Sequence, residues 1–420
     1  MADLRICQNS HTKMTKTEEV LSYLITHGLN NEIDSGSISS RFLSLSKGLT
    51  VDEWMRLFDL SEEQGVAAIC VDGMQRLAQD SGSGFQVPSD AALEYRKFQF
   101  FGGAMQIEQT YQQQWKAIEG LTRLYADNGI KTIVLKGVAI AQYYPKANHR
   151  QCGDLDCVMV KDGVFDLGKG YECANELIEA QGIAIDKDFY KEAKFAFPSA
   201  GFDKLTNQSL GTSLTIENHR FCTAVRGSKR AKGFERLLQG LLQSEELTKI
   251  EGLEAWCPGP MFNALFLTHH ALNHFLSEGL TLRHVCDWAM LLRFAQSLEQ
   301  FGTVRNDSEE FWNQWKSTCK EYGMLRFGLS MMYLAEKVCG VKSPVEIPDE
   351  IPPLAERLLG AILDHSDVEH MTGSLWNQRK VILRNMWKSR WKYDSFYDQS
   401  QWQHIMRLAM GYLFDKEPKV

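Results

Sequence analysis

The segment that decides the fold reads GDLDCVMV and occupies residues 153–160. Its two carboxylates, Asp154 and Asp156, are separated by one residue and followed by an apolar run. Residues two apart on a β-strand point to the same face, so both carboxylates would project together while Leu155 points into the core. Carboxylates at a strand end offer the hard oxygen ligands that Mg²⁺ prefers. The segment therefore predicts a metal-binding strand end.

Residues before this strand predict a place for phosphate groups. The run IKTIVLKG, residues 130–137, is typical of a buried strand that ends at Lys136 and Gly137 and opens a helix. Backbone N–H groups at the start of a helix bind phosphates, and the glycines Gly137 and Gly153 would let a phosphate approach closely. Arg150 lies in a polar loop that could bring its guanidinium to a triphosphate.

A third carboxylate is expected from Glu217, in the strand candidate TIENH at residues 215–219. With Asp154 and Asp156 it could bind two Mg²⁺ ions, which would neutralise charge on a transferring phosphoryl group, or it could accept the proton of the acceptor hydroxyl. A lone D-x-D pair is a weak sign, because most such pairs lie in solvated turns. The interpretation depends on the combination with Lys136, Arg150 and Glu217.

The rest of the chain is mostly helical in pattern. Its 420 residues are 44% hydrophobic and 24% charged, a balance that allows two or three packed units. Apolar spacings of three and four predict a helical region over residues 1–128 and another over 226–420, on either side of an α/β core at 129–225. Within the core, IAI and KFAFPSAGF are weaker strand candidates.

The order LKG, helix, YYP, Arg150, GDLD and a later strand with an acid and a histidine resembles the uncharacterised nucleotidyltransferase family of the DNA polymerase beta-like nucleotidyltransferase superfamily. The resemblance implies an α+β fold, in which a small mixed β-sheet core is flanked by N-terminal and C-terminal helical regions. It also implies that Asp154, Asp156 and Glu217 bind Mg²⁺ and act in catalysis. A nucleoside triphosphate such as ATP would be the substrate.

The sequence departs from the superfamily pattern where Lys136 and Gly137 stand in place of Gly-Ser. Val138 follows Gly137, so a serine contact to the phosphates is lost. Glu217 in place of an aspartate reaches one methylene further, which could change the spacing of the metals. These departures keep open an alternative, a catalytically inactive binding or regulatory module with the same fold.

Residues on later segments are candidates for an acceptor cleft. His270 and His274 are four apart in HHALNH, and such a pair packs against a core, lines a cleft or, with further ligands, binds zinc. Arg283 and Asp287 are also four apart, and they either pair with each other or face the acceptor. His219, beside Glu217, is the fifth candidate.

Charge and cysteine usage limit the partners and the location. A net charge of −7 disfavours a protein that coats nucleic acid. The basic and aromatic segment WNQRKVILRNMWKSRWKY, residues 376–393, favours a helix with its tryptophans packed inward. Scattered cysteines, the lack of a signal-peptide pattern and the lack of a long apolar run predict a cytoplasmic protein outside the membrane. The acceptor stays open: a small molecule, a sugar, a protein or an RNA end.

Overall fold

The computed structural model describes residues 14–30, 40–79, 85–187, 190–200, 211–226, 228–300, 308–364, 388–398 and 400–406. Within these ranges, five helices come before the sheet: α1 (Lys16–Leu29), α2 (Ser40–Lys47), α3 (Val51–Glu63), α4 (Ala67–Gln79) and α5 (Ala91–Asp127). Capping boxes start α1 and α3, each with a threonine at the N-cap and a glutamate three residues later. The residues at the starts of α1 and α3 therefore determine where these two helices begin.

In the part of the chain that the structure describes, six strands form one mixed sheet in the order β3-β4-β2-β1-β6-β5. The strands are β1 (Ile130–Val134), β2 (Asp154–Lys161), β3 (Glu192–Pro198), β4 (Ser213–His219), β5 (Thr248–Lys249) and β6 (Ala255–Cys257). Strand β2 pairs antiparallel with β1 and parallel with β4. Strand β1 also pairs parallel with β6. The predicted α+β fold with a small mixed sheet is confirmed.

The two faces of the sheet pack into two hydrophobic clusters. Leu155, Cys157 and Met159 of β2 point to one face, where they join residues of α5 (Ala91–Asp127) and α7 (Leu167–Ala180). Val158 and Val160 point to the other face and join the large cluster formed with the remaining helices. Asp154 and Asp156 are an even number of residues before these valines, so their side chains project from the same face of β2. This face is the one covered by the helices that follow the sheet.

The later helices are α8 (Lys229–Ser244), α9 (Pro260–Ser277), α10 (Leu282–Gln300), α11 (Ser308–Glu321), α12 (Leu325–Cys339) and α13 (Ile351–Leu363). Helix α9 begins with Pro260, which suits the first turn because its nitrogen needs no partner there. Among the described residues, every helix is too short or too polar to span a lipid bilayer.

Several local features differ from the expectations. The helix after Gly137 is a single turn, α6 (Val138–Ala141), and a 3₁₀ turn η1 (Ala147–His149) follows it. The IAI segment forms no strand; beyond it, Asp186 makes an isolated bridge to Lys194. Strands β5 and β6 lie beyond residue 225, so the sheet extends past the expected core.

The basic and aromatic segment at 376–393 falls mostly outside the described residues. In its described part, the ring of Trp391 lies edge-on to Phe275, with centroids 5.7 Å apart. The buried Lys392 donates from Nζ to the carbonyl oxygen of Phe275 at 3.1 Å. The ring of Trp391 thus packs inward, and the ammonium of Lys392 makes a hydrogen bond inside the protein.

Gly170 allows helix α7 to lie directly on strand β2. A Cβ atom at this position would lie 1.9 Å from the carbonyl oxygen of Met159, a backbone atom that has no room to move. We therefore expect Gly170→Ala to lower the free energy of unfolding by about 3 kcal/mol, measured by urea denaturation. Gly240→Ala is the control, because its Cβ would meet nothing within 4 Å and alanine favours the helix. Equal midpoints for the two variants would contradict this packing.

Candidate nucleotide and metal site

Strand register brings the three predicted carboxylates to one face of the sheet. In the parallel pair of β2 and β4, Asp154 is the partner of Thr215 and Asp156 is the partner of Glu217. Partners in adjacent strands point to the same side, so Asp154, Asp156 and Glu217 project together. Asp156 is buried, whereas the side chain of Asp154 is 37% exposed. The inner carboxylate is therefore fixed in place and the outer one is accessible.

His219 completes a compact group with Asp156 and Glu217. Its Nε2 atom lies 3.0 Å from Asp156 Oδ1 and 3.5 Å from Glu217 Oε2. In the described part of the chain, these three residues offer potential metal ligands that all lie within 4.8 Å of one another. The sequence placed His219 in the acceptor cleft, but the structure places it against the acids.

Lys136 lies across the D-x-D pair. Its Nζ atom is 3.0 Å from Asp156 Oδ2 and 3.5 Å from Asp154 Oδ2. Gly137 follows with φ +65°, a left-handed conformation that favours glycine and turns the chain into α6. Because α6 has only four residues, its dipole is small. Lys136, more than the helix end, supplies the positive charge here.

The charges of this cluster shift one another's pKa values. Burial alone would raise the pKa of Asp156, yet Lys136 and His219 hold it well below its usual value. The pKa of Asp154 is raised, by burial and by the neighbouring charge of Asp156. Burial would lower the pKa of Lys136, but the two aspartates raise it overall. Lys136 is therefore a permanent cation at neutral pH.

A pocket of about 510 Å³ opens beside the D-x-D pair, between the sheet and helices α9 and α10. It brings together predicted residues from both halves of the chain. Its lining includes Lys136, Gly137, Arg150, Gly153, Asp154, His270, His274, Arg283 and Asp287. Glu217 and His219 do not line it. The predicted phosphate-binding residues and four of the five predicted cleft residues thus share one cavity.

Arg150 is buried and ion-paired, instead of being free in a flexible loop. Its Nε and NH2 atoms donate to Asp287 Oδ1 and Oδ2 at 2.9 and 2.7 Å. Tyr144 donates its hydroxyl to Asp287 Oδ1 at 2.7 Å, while Arg283 donates to the carbonyl oxygen of Gln151. Asp287 therefore pairs with Arg150, 137 residues away, and not with its helical neighbour Arg283. The pair ties the loop before β2 to helix α10.

Three histidines, two from α9 and one from α10, form a row along the pocket wall. The ring of His270 stacks on Phe266, and its centroid lies 4.4 Å from that of His274. The next ring, His284, lies 5.9 Å from His274. Burial lowers the pKa of His270 well below its usual value, so the ring is neutral at pH 7. Among the described residues, these histidines belong to no group of three potential metal ligands.

The strand candidate KFAFPSAGF forms part of β3, and the contact of its Lys194 with Glu217 was not expected. On β3, which pairs with the far side of β4, Lys194 lies opposite Glu217. Its Nζ atom is 2.5 Å from Glu217 Oε1 and 3.2 Å from Glu192 Oε1. The alternation of Glu192 and Lys194 in EAKFAFP was a visible sign of a strand with a charged face, but it did not indicate which strand would be its neighbour.

A buried network holds the loop that carries Arg150. His149 lies between two carboxylates, with Nδ1 2.6 Å from Asp72 Oδ2 and Nε2 2.5 Å from Glu108 Oε1. Lys146 binds the other oxygen of Asp72. Burial opposes protonation of His149, but the carboxylates raise its pKa overall. The loop is thus anchored to α4 and α5 directly before the site.

The sequence pattern of the family described as "Uncharacterised nucleotidyltransferase" matches residues 50–340, well over half of the chain. Among solved structures, the chain is similar to an antigenic nucleotidyltransferase-like protein from Paracoccidioides brasiliensis, with 13% identity and a TM-score of 0.30. That similarity covers 55% of this chain and 94% of the other. No curated protein sequence matches significantly. By its sequence, the chain belongs to the uncharacterised nucleotidyltransferase family.

Proposed function

We propose that this protein moves a nucleoside monophosphate from a nucleoside triphosphate to an acceptor, in a reaction that depends on a divalent metal, and that it is a member of the DNA polymerase beta-like superfamily. One observation carries the proposal. Asp154, Asp156 and Glu217 share one face of a mixed sheet at the edge of a pocket lined by Lys136 and Arg150. Acids next to a cationic pocket suit a phosphorylated substrate with its metal.

The residues present fit a divalent cation. Asp156 Oδ2 is buried and accepts no well-aligned hydrogen bond from the described residues, although it contacts the Lys136 ammonium. Asp156, Glu217 and His219 provide two carboxylates and one imidazole, and Asp154 provides a further carboxylate at the pocket. Oxygen ligands suit Mg²⁺, and the imidazole also suits Mn²⁺. One or two such ions would neutralise charge developing on the transferred phosphoryl group.

The protein side chains would bind and orient the triphosphate. Lys136 lines the pocket and brings positive charge to it, while Gly137 and Gly153 have no side chains that would keep phosphate oxygens away. Arg150 contributes its charge from a fixed position, because Asp287 already holds its guanidinium. Burial would raise the pKa of Glu217, but hydrogen bonds from His219 and Lys194 lower it overall, so Glu217 is a weak base. We therefore assign it to metal binding, through the oxygen beside His219, in preference to proton transfer from the acceptor.

The acceptor would approach from the side of helices α9 and α10. Neutral His270, together with His274 and the charged Arg283, forms that wall of the pocket. Neutral imidazoles donate and accept hydrogen bonds, which suits a hydroxyl-bearing acceptor. A small molecule, a sugar, a protein side chain or an RNA end all offer such a group.

A second candidate is a binding or regulatory module that uses the same pocket without turnover. It is favoured by the replacement of Gly-Ser with Lys136 and Gly137 and by the ammonium lying between the aspartates. Such a module would bind a nucleotide but would transfer nothing to any acceptor.

Calorimetry with non-hydrolysable analogues of each nucleoside triphosphate tests the site. We expect binding that needs Mg²⁺ and that weakens at least about tenfold in Asp154→Ala/Asp156→Ala, because the metal ligands are removed. The matched control is Glu62→Ala/Glu63→Ala, which removes two exposed carboxylates from α3. Absence of binding by the wild type would overturn the proposal. Binding without transfer would favour the second candidate.

A further inference from the structure

Lys136 occupies the position that a cation bound by the D-x-D pair would take. Its ammonium contacts Oδ2 of both aspartates, at 3.0 and 3.5 Å, and its side chain is only 17% exposed. The lysine lies two residues after the end of β1 and immediately before the left-handed Gly137, so its backbone position is fixed by the strand and the turn. The chain itself thus already supplies part of the positive charge that would balance the two carboxylates.

A divalent ion and this ammonium exclude each other. A metal bound to these carboxylates would lie about 2.0–2.6 Å from their oxygens, within a few ångströms of the present Nζ position. Two cations so close would repel strongly in a partly buried site. Metal binding by both aspartates therefore requires the lysine side chain to leave.

The pocket offers the lysine another position. Lys136 itself lines the cavity of about 510 Å³, and its four-carbon side chain is flexible. The phosphates of a nucleotide in this cavity would supply new negative partners for the ammonium. Lys194, a second lysine beside the acidic residues, pairs with Glu192 and Glu217 and does not line the pocket. Lys136 is therefore the lysine placed to exchange carboxylates for phosphates.

We propose that Lys136 is a built-in counter-ion that keeps divalent metal off the Asp154–Asp156 pair until nucleotide phosphates draw the ammonium away. Metal and nucleotide would then bind together, each strengthening the other. The role in nucleotide binding rests on the function proposed above. The competition between lysine and metal rests only on the contacts of Lys136 and can be tested without any nucleotide.

The test measures Mn²⁺ binding to the nucleotide-free protein by the loss of the free-ion electron paramagnetic resonance signal. Binding that persists in Asp154→Ala/Asp156→Ala is subtracted as unrelated to the pair. We expect Lys136→Met to bind Mn²⁺ at least about tenfold more tightly than the wild type, because the competing charge is removed. Lys136→Arg keeps a charge and should stay within about threefold of the wild type. Lys136→Gln serves in place of Lys136→Met if that variant does not fold.

The control for removing any paired lysine is Lys337→Met, whose partner Glu356 lies on α13, away from the sheet. It should leave Mn²⁺ binding unchanged. Equal or weaker Mn²⁺ binding by both uncharged Lys136 variants would overturn the inference. Failure of the wild type to bind nucleotide would instead overturn the proposed function, so the two failures are distinguishable.

Discussion

Replacing Asp156 by asparagine is expected to lower the rate of nucleotidyl transfer by on the order of 10³-fold. The amide keeps the size of the side chain but loses the charge that binds the metal. Asp156 is also the acid that both Lys136 and His219 contact, so its charge organises the whole cluster. A deficit of this size is typical when an enzyme loses a group that stabilises charge in the transition state.

The measurement is the uptake of α-labelled nucleoside triphosphates by fractions of a cell lysate, which also shows whether label enters protein, RNA or small molecules. Asp162→Asn is the matched control. It makes the same substitution just after the same strand, where the side chain is 63% exposed and φ of 50° suits asparagine. Asp156→Asn activity within a few-fold of the control would contradict the assigned role.

Asp287→Ala is expected to lower the free energy of unfolding by about 3–5 kcal/mol. The substitution removes the carboxylate that binds Arg150 through two hydrogen bonds, and it leaves a buried guanidinium without its partner. It also removes the acceptor of the Tyr144 hydroxyl. Urea denaturation measures the loss. Arg150→Leu/Asp287→Leu should lose less than Asp287→Ala, because no charge remains buried.

The control for this ion pair is Glu119→Ala, which breaks an exposed pair with Arg123 on one face of α5. Exposed pairs four apart on a helix contribute about 0.3–0.5 kcal/mol, so this variant should be almost as stable as the wild type. Similar losses of unfolding free energy in Asp287→Ala and Glu119→Ala would show that the buried ion pair stabilises the protein no more than the exposed one.

The same pair predicts how stability depends on pH. Burial would raise the pKa of Asp287, but Arg150 lowers it overall. A carboxyl whose pKa is lower in the folded state stabilises the protein fully above its unfolded pKa of about 3.9. This contribution is lost as the pH falls through the lower folded value.

The sequence was sufficient to predict the features that depend on local spacing. Because Asp154 and Asp156 are two residues apart, strand geometry predicted that their side chains share one face. The change from a helical to a strand pattern at Gly129 correctly located the start of β1. The family resemblance added the mixed sheet and the placement of Glu217 on an adjacent strand. Each of these depends on a few neighbouring residues or on a motif.

The remaining features depend on contacts that no local pattern reveals. Arg150 and Asp287 are 137 residues apart, and only the packing of α10 against the loop brings them together. Strand β6 has three residues, too few for a periodic pattern. Its pairing with β1 is determined by the tertiary packing of the chain. The position of Lys136 between the aspartates follows from the turn at Gly137, where the sequence suggested a phosphate-binding helix start.

The pairing of β1 with β6 has a consequence for the order of events during synthesis. Thr132 and Ile133 pair with Ala255 and Trp256, so one edge of β1 stays bare until more than a hundred further residues have left the ribosome. An unpaired edge recruits strands from other chains, and such distant pairings form slowly. The strand next to the acidic motif thus keeps one edge open to misassembly in the nascent chain until β6 has been made.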